Sequence, residues 1–366
     1  MNAIALPTLP TGRAVTPTTV WLNVNRVCNL RCGWCYAKGT EYRAEDEMSL
    51  DLAKRLLGMA HDVGVRSATL IGGEPTLWEP LFEFNAHAHS LDVRTTLVTN
   101  ATRFGIDKFW AEYNEAPCST IGLSIKAFDE KSFKCTTNTS AFETTRRGIQ
   151  RVLSRKESRA SVVYTGTNPT ELVGLARFAA ECGATSLGIS PSTPTFVNGK
   201  VDLLNPPPHP SLFIKNFVEQ YDELNAIFHG QISVATKYPL CLWPREFILK
   251  LIERNQVTTT CQLQHRTGLL FSPNGTAISC NSLHDYAIGQ LDTDYSDGDS
   301  LARHLAGPEV SRFYDTISSY ASTKCTSCKV KSYCGGGCPL NYGAFDAEKL
   351  IPGWDGPSPV LSMEAN

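Results

Sequence analysis

An α/β fold built on a parallel sheet and followed by a small cysteine-rich unit is what this sequence predicts. Three observations carry that expectation. Strand-like and helix-like segments alternate over the first two-thirds of the chain. A proline cluster, Pro206, Pro207, Pro208 and Pro210, then breaks the alternation. From Cys261 onward the texture changes to short strands, turns and closely spaced cysteines.

The strand-like runs are Thr19–Val24, Ser67–Ile71, Thr95–Thr99, Thr120–Ile125, Ala160–Tyr164 and Thr185–Ile189. Their β-branched and apolar residues suit a pleated, half-buried surface. Helical stretches fall between them. Ser49 is a suitable N-cap for Leu50–Val63, where Leu52, Leu56, Met59 and Ala60 recur at helical spacing. Ala141–Leu153 and Thr170–Cys182 read as further helices, the second stopped by Gly183. Such β-then-α units call for a parallel sheet that either curls into a barrel or stays open. Beyond the prolines, Ser211–Phe228 and Pro244–Arg254 read as helices. Leu269–Phe271 and Thr276–Ser279 flank Pro273-Asn274-Gly275, which marks a β-hairpin, and a helix fits near Pro308–Ser318. Residues 352–366 are rich in Pro and Gly and read as a loose tail.

Charge narrows the function classes. The 366 residues carry 34 basic and 36 acidic side chains, so no electrostatic footprint for nucleic acid or anionic lipid exists. No apolar run approaches the ~18 residues a membrane span needs. Met1–Val15 has one charged side chain, Arg13, and no apolar core for export. The 13 cysteines, an odd number in a long chain, therefore fit a reducing cytoplasmic setting better than a disulfide scaffold.

Nine cysteines fall into three clusters: Cys28-x3-Cys32-x2-Cys35, Cys261-x13-Gly275-x4-Cys280, and Cys325-x2-Cys328-x5-Cys334-x3-Cys338. At this cysteine content the four-cysteine spacing arises by chance in fewer than about 0.1% of chains, so chance is set aside. Thiolates this dense select zinc or iron–sulfur clusters. For Cys325–Cys338 alone both readings stay open. For Cys28–Cys35, three thiolates within eight residues leave a fourth metal position without a nearby protein ligand. That position, at the C-terminal end of a strand, favours an iron–sulfur cluster with one iron free for an exogenous ligand.

Cys28-x3-Cys32-x-Trp34-Cys35 resembles the signature of radical S-adenosylmethionine (radical SAM) enzymes, including the aromatic residue before the last cysteine. The downstream spacings resemble the SPASM extension of that family, found in peptide-modifying maturases. The resemblance covers about residues 18–350. It implies a partial (β/α)6 barrel of TIM type over residues 18–215, a helical linker over 216–255, and an auxiliary-cluster domain with a β-hairpin over 256–350. A loose tail, 351–366, ends the chain.

The resemblance also implies roles. Cys28, Cys32 and Cys35 would hold a [4Fe–4S] cluster whose open iron is chelated by S-adenosylmethionine. Gly72-Gly73-Glu74-Pro75 looks like the motif that binds the methionyl amine, with close backbone approach at the glycines and Glu74 as acceptor. Asn100 and Ser124 occupy strand ends where the family places ribose or carboxylate contacts, and Lys126 would face the cosubstrate or the substrate. Trp34 would meet adenine through its backbone. Read alone, these residues are a turn, two strand-end caps and a solvated lysine.

In the extension, the resemblance assigns Cys261, Cys280 and Cys338 to one auxiliary [4Fe–4S] cluster and Cys325, Cys328 and Cys334 to a second. Two departures matter. No cysteine follows Cys338, so Asp346, Glu348 or Asp355 is expected to stand in for a ligand of the second cluster, unless that site is open or the cluster absent. Cys241 is a candidate fourth ligand of the first. Asn281 follows Cys280 where sulfatase-maturing members carry an aspartate base, and an amide cannot take that proton, which disfavours sulfatase maturation. Cys118, Cys135 and Cys182 have no spacing logic and read as buried core thiols.

The leading functional expectation is reductive cleavage of S-adenosylmethionine and radical modification of a ribosomally made peptide, by crosslinking or epimerisation. An external electron donor of flavodoxin or ferredoxin type is implied. Only about 20 residues precede the first strand, so a leader-recognition domain is expected to be a separate protein. The competing expectation is radical tailoring of a small molecule such as a sugar or nucleoside, by oxidation, epimerisation or sulfur insertion. A structural zinc or electron-transfer protein explains Cys325–Cys338 but leaves Cys28–Cys35 and Gly72–Pro75 as coincidences.

Overall fold

The computed structural model describes residues 14–39, 46–165, 171–194, 196–197, 200–201, 206–258, 261–284, 286–318 and 322–355. The first thirteen residues, Thr170 and the end of the tail lie outside the described residues.

The parallel sheet is present. Strands β1 (Thr19–Asn23), β2 (Ser67–Ile71), β3 (Arg94–Thr99), β4 (Thr120–Ile125), β5 (Ser158–Tyr164) and β6 (Leu187–Pro191) pair side by side in sequence order, all parallel. Helices α1 (Leu50–Asp62), α2 (Leu81–Ser90), α3 (Asp107–Glu115), α4 (Glu130–Thr137), α5 (Phe142–Leu153) and α6 (Glu171–Glu181) lie in the crossovers. Ser49 caps α1, its side chain accepting from the Leu52 N–H at 3.2 Å. Gly183, at φ +103°, stands just past α6 in the left-handed region where a helix stops readily.

Burial explains why the sheet leaves a cavity. On β4, Ile121, Leu123 and Ile125 are buried while Thr120, Gly122 and Ser124 are not; β5 and β6 alternate in the same way. The apolar set packs under the helices. The other face, with Val98, Ser124 and Val163, borders the central cavity. The side chains on this face leave a space at the strand ends that packed layers fill in a closed barrel.

The sheet continues past both edges of the six-strand unit. Beyond β6 come β7 (Ile232–Ala235) and β8 (Val257–Thr258), reached through α7 (Pro210–Ile227) and α8 (Arg245–Glu253). The segment expected as a helical linker thus contributes a strand. Four residues, Ile-Ser-Val-Ala, are too few for a period to stand out, and pairing of Leu187–Ile189 with Ile232–Val234 decides their state. Beyond β1 comes the hairpin: β9 (Gly268–Phe271) lies parallel to β1, followed by antiparallel β10 (Thr276–Ile278) and β11 (Ala287–Gln290). No helix among the described residues is long and apolar enough to cross a membrane.

Candidate active site

The loop after β1 carries Cys28, Cys32 and Cys35, and its path is set by the loop after β2. The Gly73 N–H donates to the Asn25 carbonyl and the Glu74 N–H to the Val27 carbonyl, both at 2.8 Å. A Cβ on Gly72 would sit 2.4 Å from Asn25 Oδ1, and one on Gly73 would sit 2.2 Å from the Val27 carbonyl oxygen. Only glycine lets the two backbones meet. Tyr36 Oη donates to the Gly72 carbonyl at 2.9 Å and closes the far side of the loop. Arg31 N–H bonds the Thr137 carbonyl at 2.8 Å and ties the middle of the loop to the end of α4.

Glu74 organises this end of the sheet. Its carboxylate is 1% exposed and accepts from Thr76 N–H (3.2 Å), Thr76 Oγ1 (2.7 Å) and Thr99 Oγ1 (2.7 Å) on Oε1, and from Asn100 N–H (2.9 Å) on Oε2. Burial raises its pKa against the pull of those donors. A carboxylate offers about four lone-pair sites, so one direction on Oε2 is left for an outside donor. Asn100 in turn donates to Asn29 Oδ1 at 2.8 Å and approaches Cys28 Sγ at 3.9 Å. Lys126 Nζ donates to Ser124 Oγ at 2.7 Å and lies 5.7 Å from the Trp34 ring centroid.

Cys28, Cys32, Cys35, Trp34, Gly72, Gly73, Glu74, Asn100, Ser124 and Lys126 therefore line one cavity of about 300 Å³ at the C-terminal ends of the strands. Every residue singled out from sequence on this side is brought together. The cavity also includes Lys237 and Asn281. Asn281 accepts from Asn23 Nδ2 at 3.1 Å. Lys237 was not foreseen; it follows the missed strand β7, and recognising that strand would have placed it. Its ammonium donates to the Pro191 carbonyl at 2.9 Å.

The thiols suit a cluster. Burial pushes Cys28 up to about 12, the Leu30 N–H opposes, and Glu74, Cys35 and Cys32 add negative charge nearby. Such a thiol ionises at neutral pH only against a cation, and metal ligation supplies one while releasing the proton. Among the described residues, no three His, Cys, Asp or Glu side chains converge on a single-ion site. A four-iron cluster, in which each thiolate binds its own iron, spaces its ligands more widely than one zinc ion does.

The remaining cysteines separate into two groups. Cys338 joins Cys261 and Cys280 around Lys237: burial lowers the Lys237 pKa, and Cys338, Cys280 and Cys261 act against that shift. Cys325, Cys328 and Cys334 form the other group. Cys241 stands with this second group, not with the first as expected. Of the three thiols read as core, Cys118 and Cys182 are buried and Cys135 is exposed. Cys135 lies on α4, whose inward positions are Phe133 and Thr137.

Residues 22–179 match the family model described as the Radical SAM superfamily, so this part of the chain is a radical SAM domain. That family implies S-adenosylmethionine and a [4Fe–4S] cluster, which the cavity residues fit. Among curated relatives, the chain is 27% identical over 175 residues to a probable GTP 3′,8-cyclase of Pyrococcus abyssi, covering 47% of this chain and 56% of that protein. The chain thus spans about half the length of the curated relatives it matches. Among solved structures, Streptococcus suis SuiB bound to S-adenosylmethionine aligns with TM-score 0.66 and 19% identity, over 92% of this chain and 76% of SuiB. SuiB is also solved with its precursor peptide SuiA. AnSMEcpe with bound AdoMet aligns with TM-score 0.67 and 17% identity, over 92% of this chain and 93% of that one. At these identities the likeness shows the shared fold.

Proposed function

We propose that the chain is a radical SAM enzyme that crosslinks or epimerises a ribosomally made peptide. The observation that carries the chemistry is the convergence of Cys28, Cys32 and Cys35 with Gly72–Glu74 in one cavity. Cys28, Cys32 and Cys35 would hold a [4Fe–4S] cluster, which would supply one-electron reductive cleavage of S-adenosylmethionine and, through it, hydrogen abstraction from the substrate. The chain's own residues hold and orient. Gly72 and Gly73 bring backbone to the cavity wall, and Glu74 offers its remaining lone pair to an ammonium. Lys126, held by Ser124 and Trp34, meets an anionic group, and Asn100 fixes the Cys28 end of the loop. The two auxiliary cysteine groups are assigned to one or two further [4Fe–4S] clusters, able to take an electron from a substrate radical. Reduction calls for an external flavodoxin- or ferredoxin-type donor.

The peptide reading is supported by a second cavity of about 550 Å³ formed in the extension, bordered by Leu283, Tyr286, Phe313, Ile317 and Leu340. Leu283 directly follows Ser282, which borders the first cavity, so an apolar side chain of an extended substrate has a place beside the reaction site. The GTP 3′,8-cyclase relatives favour the second reading, a nucleotide or other small molecule, because their names state such a substrate.

Anaerobic turnover with dithionite and S-adenosylmethionine tests the chemistry: the wild type forms 5′-deoxyadenosine and the Cys28→Ala/Cys32→Ala/Cys35→Ala variant does not. Equal product from both would end the proposal. A precursor peptide losing two hydrogens, or gaining solvent deuterium at one α-carbon, supports the peptide reading. Consumption of GTP with peptides unchanged replaces it with the second.

A further inference from the structure

We infer that Cys241 is the fourth ligand of the auxiliary cluster held by Cys325, Cys328 and Cys334. This rests on reading the extension as a cluster-bearing domain, and it replaces the expectation that a carboxylate or an open site completes the set.

The geometry begins at the turn after β7. Cys241 lies in the short 3-10 helix Leu240–Leu242, and its neighbours Leu240 and Trp243 are buried, which fixes the turn in place. The Leu240 N–H donates to Cys334 Sγ at 3.2 Å, so the residue beside Cys241 already touches a member of the set. One turn earlier, the Lys237 carbonyl accepts from the Cys338 N–H and from Asn341 Nδ2, both at 2.7 Å. Gly337 has no room for a side chain: a Cβ would meet the Lys237 carbonyl oxygen at 2.7 Å and Pro239 Cδ at 2.9 Å. The 237–242 segment is thus pressed onto the run that carries Cys334 and Cys338, with both ends of the contact hydrogen-bonded.

Electrostatics agree with that placement. Burial, together with Cys334, Cys325 and Cys328, pushes the Cys241 thiol up to about 12 against a backbone N–H from Gly353. Cys334 in turn is raised by burial, against the Leu240 and Gly336 N–H groups, with Cys325 and Cys328 adding to the rise. An N–H aimed at a cluster sulfur is a recurrent feature of iron–sulfur sites. Ligation forms a thiolate–iron bond and sends the thiol proton to solvent, with no change in oxidation state.

Two of the three carboxylates expected as substitutes, Glu348 and Asp346, are engaged elsewhere. Glu348 lies near enough to Cys325 to raise its pKa, but it accepts from Ser322 Oγ (2.8 Å), Thr323 N–H (2.6 Å) and Thr323 Oγ1 (3.0 Å). Asp346 caps its own short helix through the Glu348 and Lys349 N–H groups and pairs with the Lys349 ammonium at 3.3 Å.

The test counts iron and acid-labile sulfide in anaerobically reconstituted full-length protein and records electron paramagnetic resonance after reduction. In the Cys28→Ala/Cys32→Ala/Cys35→Ala background, about eight irons are expected per chain. Adding Cys241→Ala should lower the count towards about four, or to about seven with a three-iron signal, while the spectrum of the Cys261/Cys280/Cys338 cluster persists. That persistence shows the variant is folded. If Cys241→Ala keeps about eight irons and an unchanged spectrum, the inference is overturned while the cluster reading stands. If the background itself holds about four irons, and Cys334→Ala removes none, the second cluster does not exist and both fall. Alkylation of the wild type needs no variant. Cys241 should be protected together with Cys334 in the holoprotein and modified after iron is chelated, with exposed Cys135 modified in both. Modification of Cys241 in the holoprotein with the other three protected overturns the inference.

Discussion

Burial and the Arg26 guanidinium hold the His284 imidazole down to about 3 from its ordinary 6.5. The ring stacks on Tyr36 at 5.6 Å between centroids, and Arg26 Nη2 lies 3.4 Å from its Nδ1, a contact that suits the neutral ring as acceptor. Through Tyr36 the histidine bears on the cysteine loop. Its folded pKa lies below the unfolded one, so the unfolded chain binds the extra proton between about pH 3 and 6.5. Stability from the neutral ring is therefore full above 6.5 and is lost as pH falls through that window. Between pH 7.5 and 5.5 the loss amounts to about 1.4 kcal/mol. His284→Gln should be less stable than wild type at pH 7.5 and should lack that component of the pH dependence. Urea midpoints at the two pH values read it, and parallel pH profiles for the two proteins would show that the ring titrates normally. None of this was legible in the sequence, where His284 stands in a polar loop with no periodic neighbour.

At the scale of elements, the reaction cavity exists because two loops share backbone contacts that a methyl group would break. The Cβ of Gly73→Ala would strike carbonyl oxygens of Val27 and Arg26, at 2.2 and 2.5 Å, which belong to main chain and cannot swing away. Overpacking of this kind costs about 1–3 kcal/mol, and the displacement falls on the loop that carries Cys28. Gly73→Ala should lose about four irons per chain and at least about 10-fold in 5′-deoxyadenosine formation. Gly188→Ala on β6, whose added Cβ meets nothing nearer than 3.7 Å, should retain both. Full iron content in Gly73→Ala would show that the cysteine loop does not depend on this contact.

The elements that carry the cavity were those the sequence revealed best. The six strands β1–β6 fall within two residues of the expected ends, because each couples a short β-branched run to a following turn. Helix α2, Leu81–Ser90, was harder to place: its alternating Ala and His residues make no strong apolar stripe. β7 was invisible for the opposite reason, being made by its pairing with β6 and not by its own four residues. Losing β7 hid Lys237 and, one turn later, the position of Cys241, so a single missed strand accounts for both gaps in the site. The four-cysteine run could be divided by analogy, but its companion on a distant turn could be found only in space.

For the molecule as a whole, the cysteine-rich extension is continuous with the barrel sheet. β9 pairs with β1 in parallel register from Thr19↔Gly268 to Leu22↔Phe271, and the Thr16 and Thr18 N–H groups extend the ladder to the Arg266 and Thr267 carbonyls. A chain ending after Thr258 would leave β1 as a bare edge, a template for pairing with other copies. It would also uncover what Leu269, Leu270, Phe271 and Ile278 bury, all at 3% exposure or less. At about 1.5–3 kcal/mol for each such side chain, the loss is roughly 6–12 kcal/mol as an upper estimate. That matches the whole net stability of an ordinary domain, about 5–15 kcal/mol. The truncated chain should therefore aggregate or elute far above monomer size, whereas full-length protein should unfold in one transition. Tryptophan fluorescence and far-ultraviolet circular dichroism should superimpose across that transition, because Trp21 on β1 faces Leu270 of β9 within the shared sheet. A monomeric truncated chain with native helical signal, or two resolved transitions in the intact one, would show that the extension is an appendage and that the barrel carries its own edge.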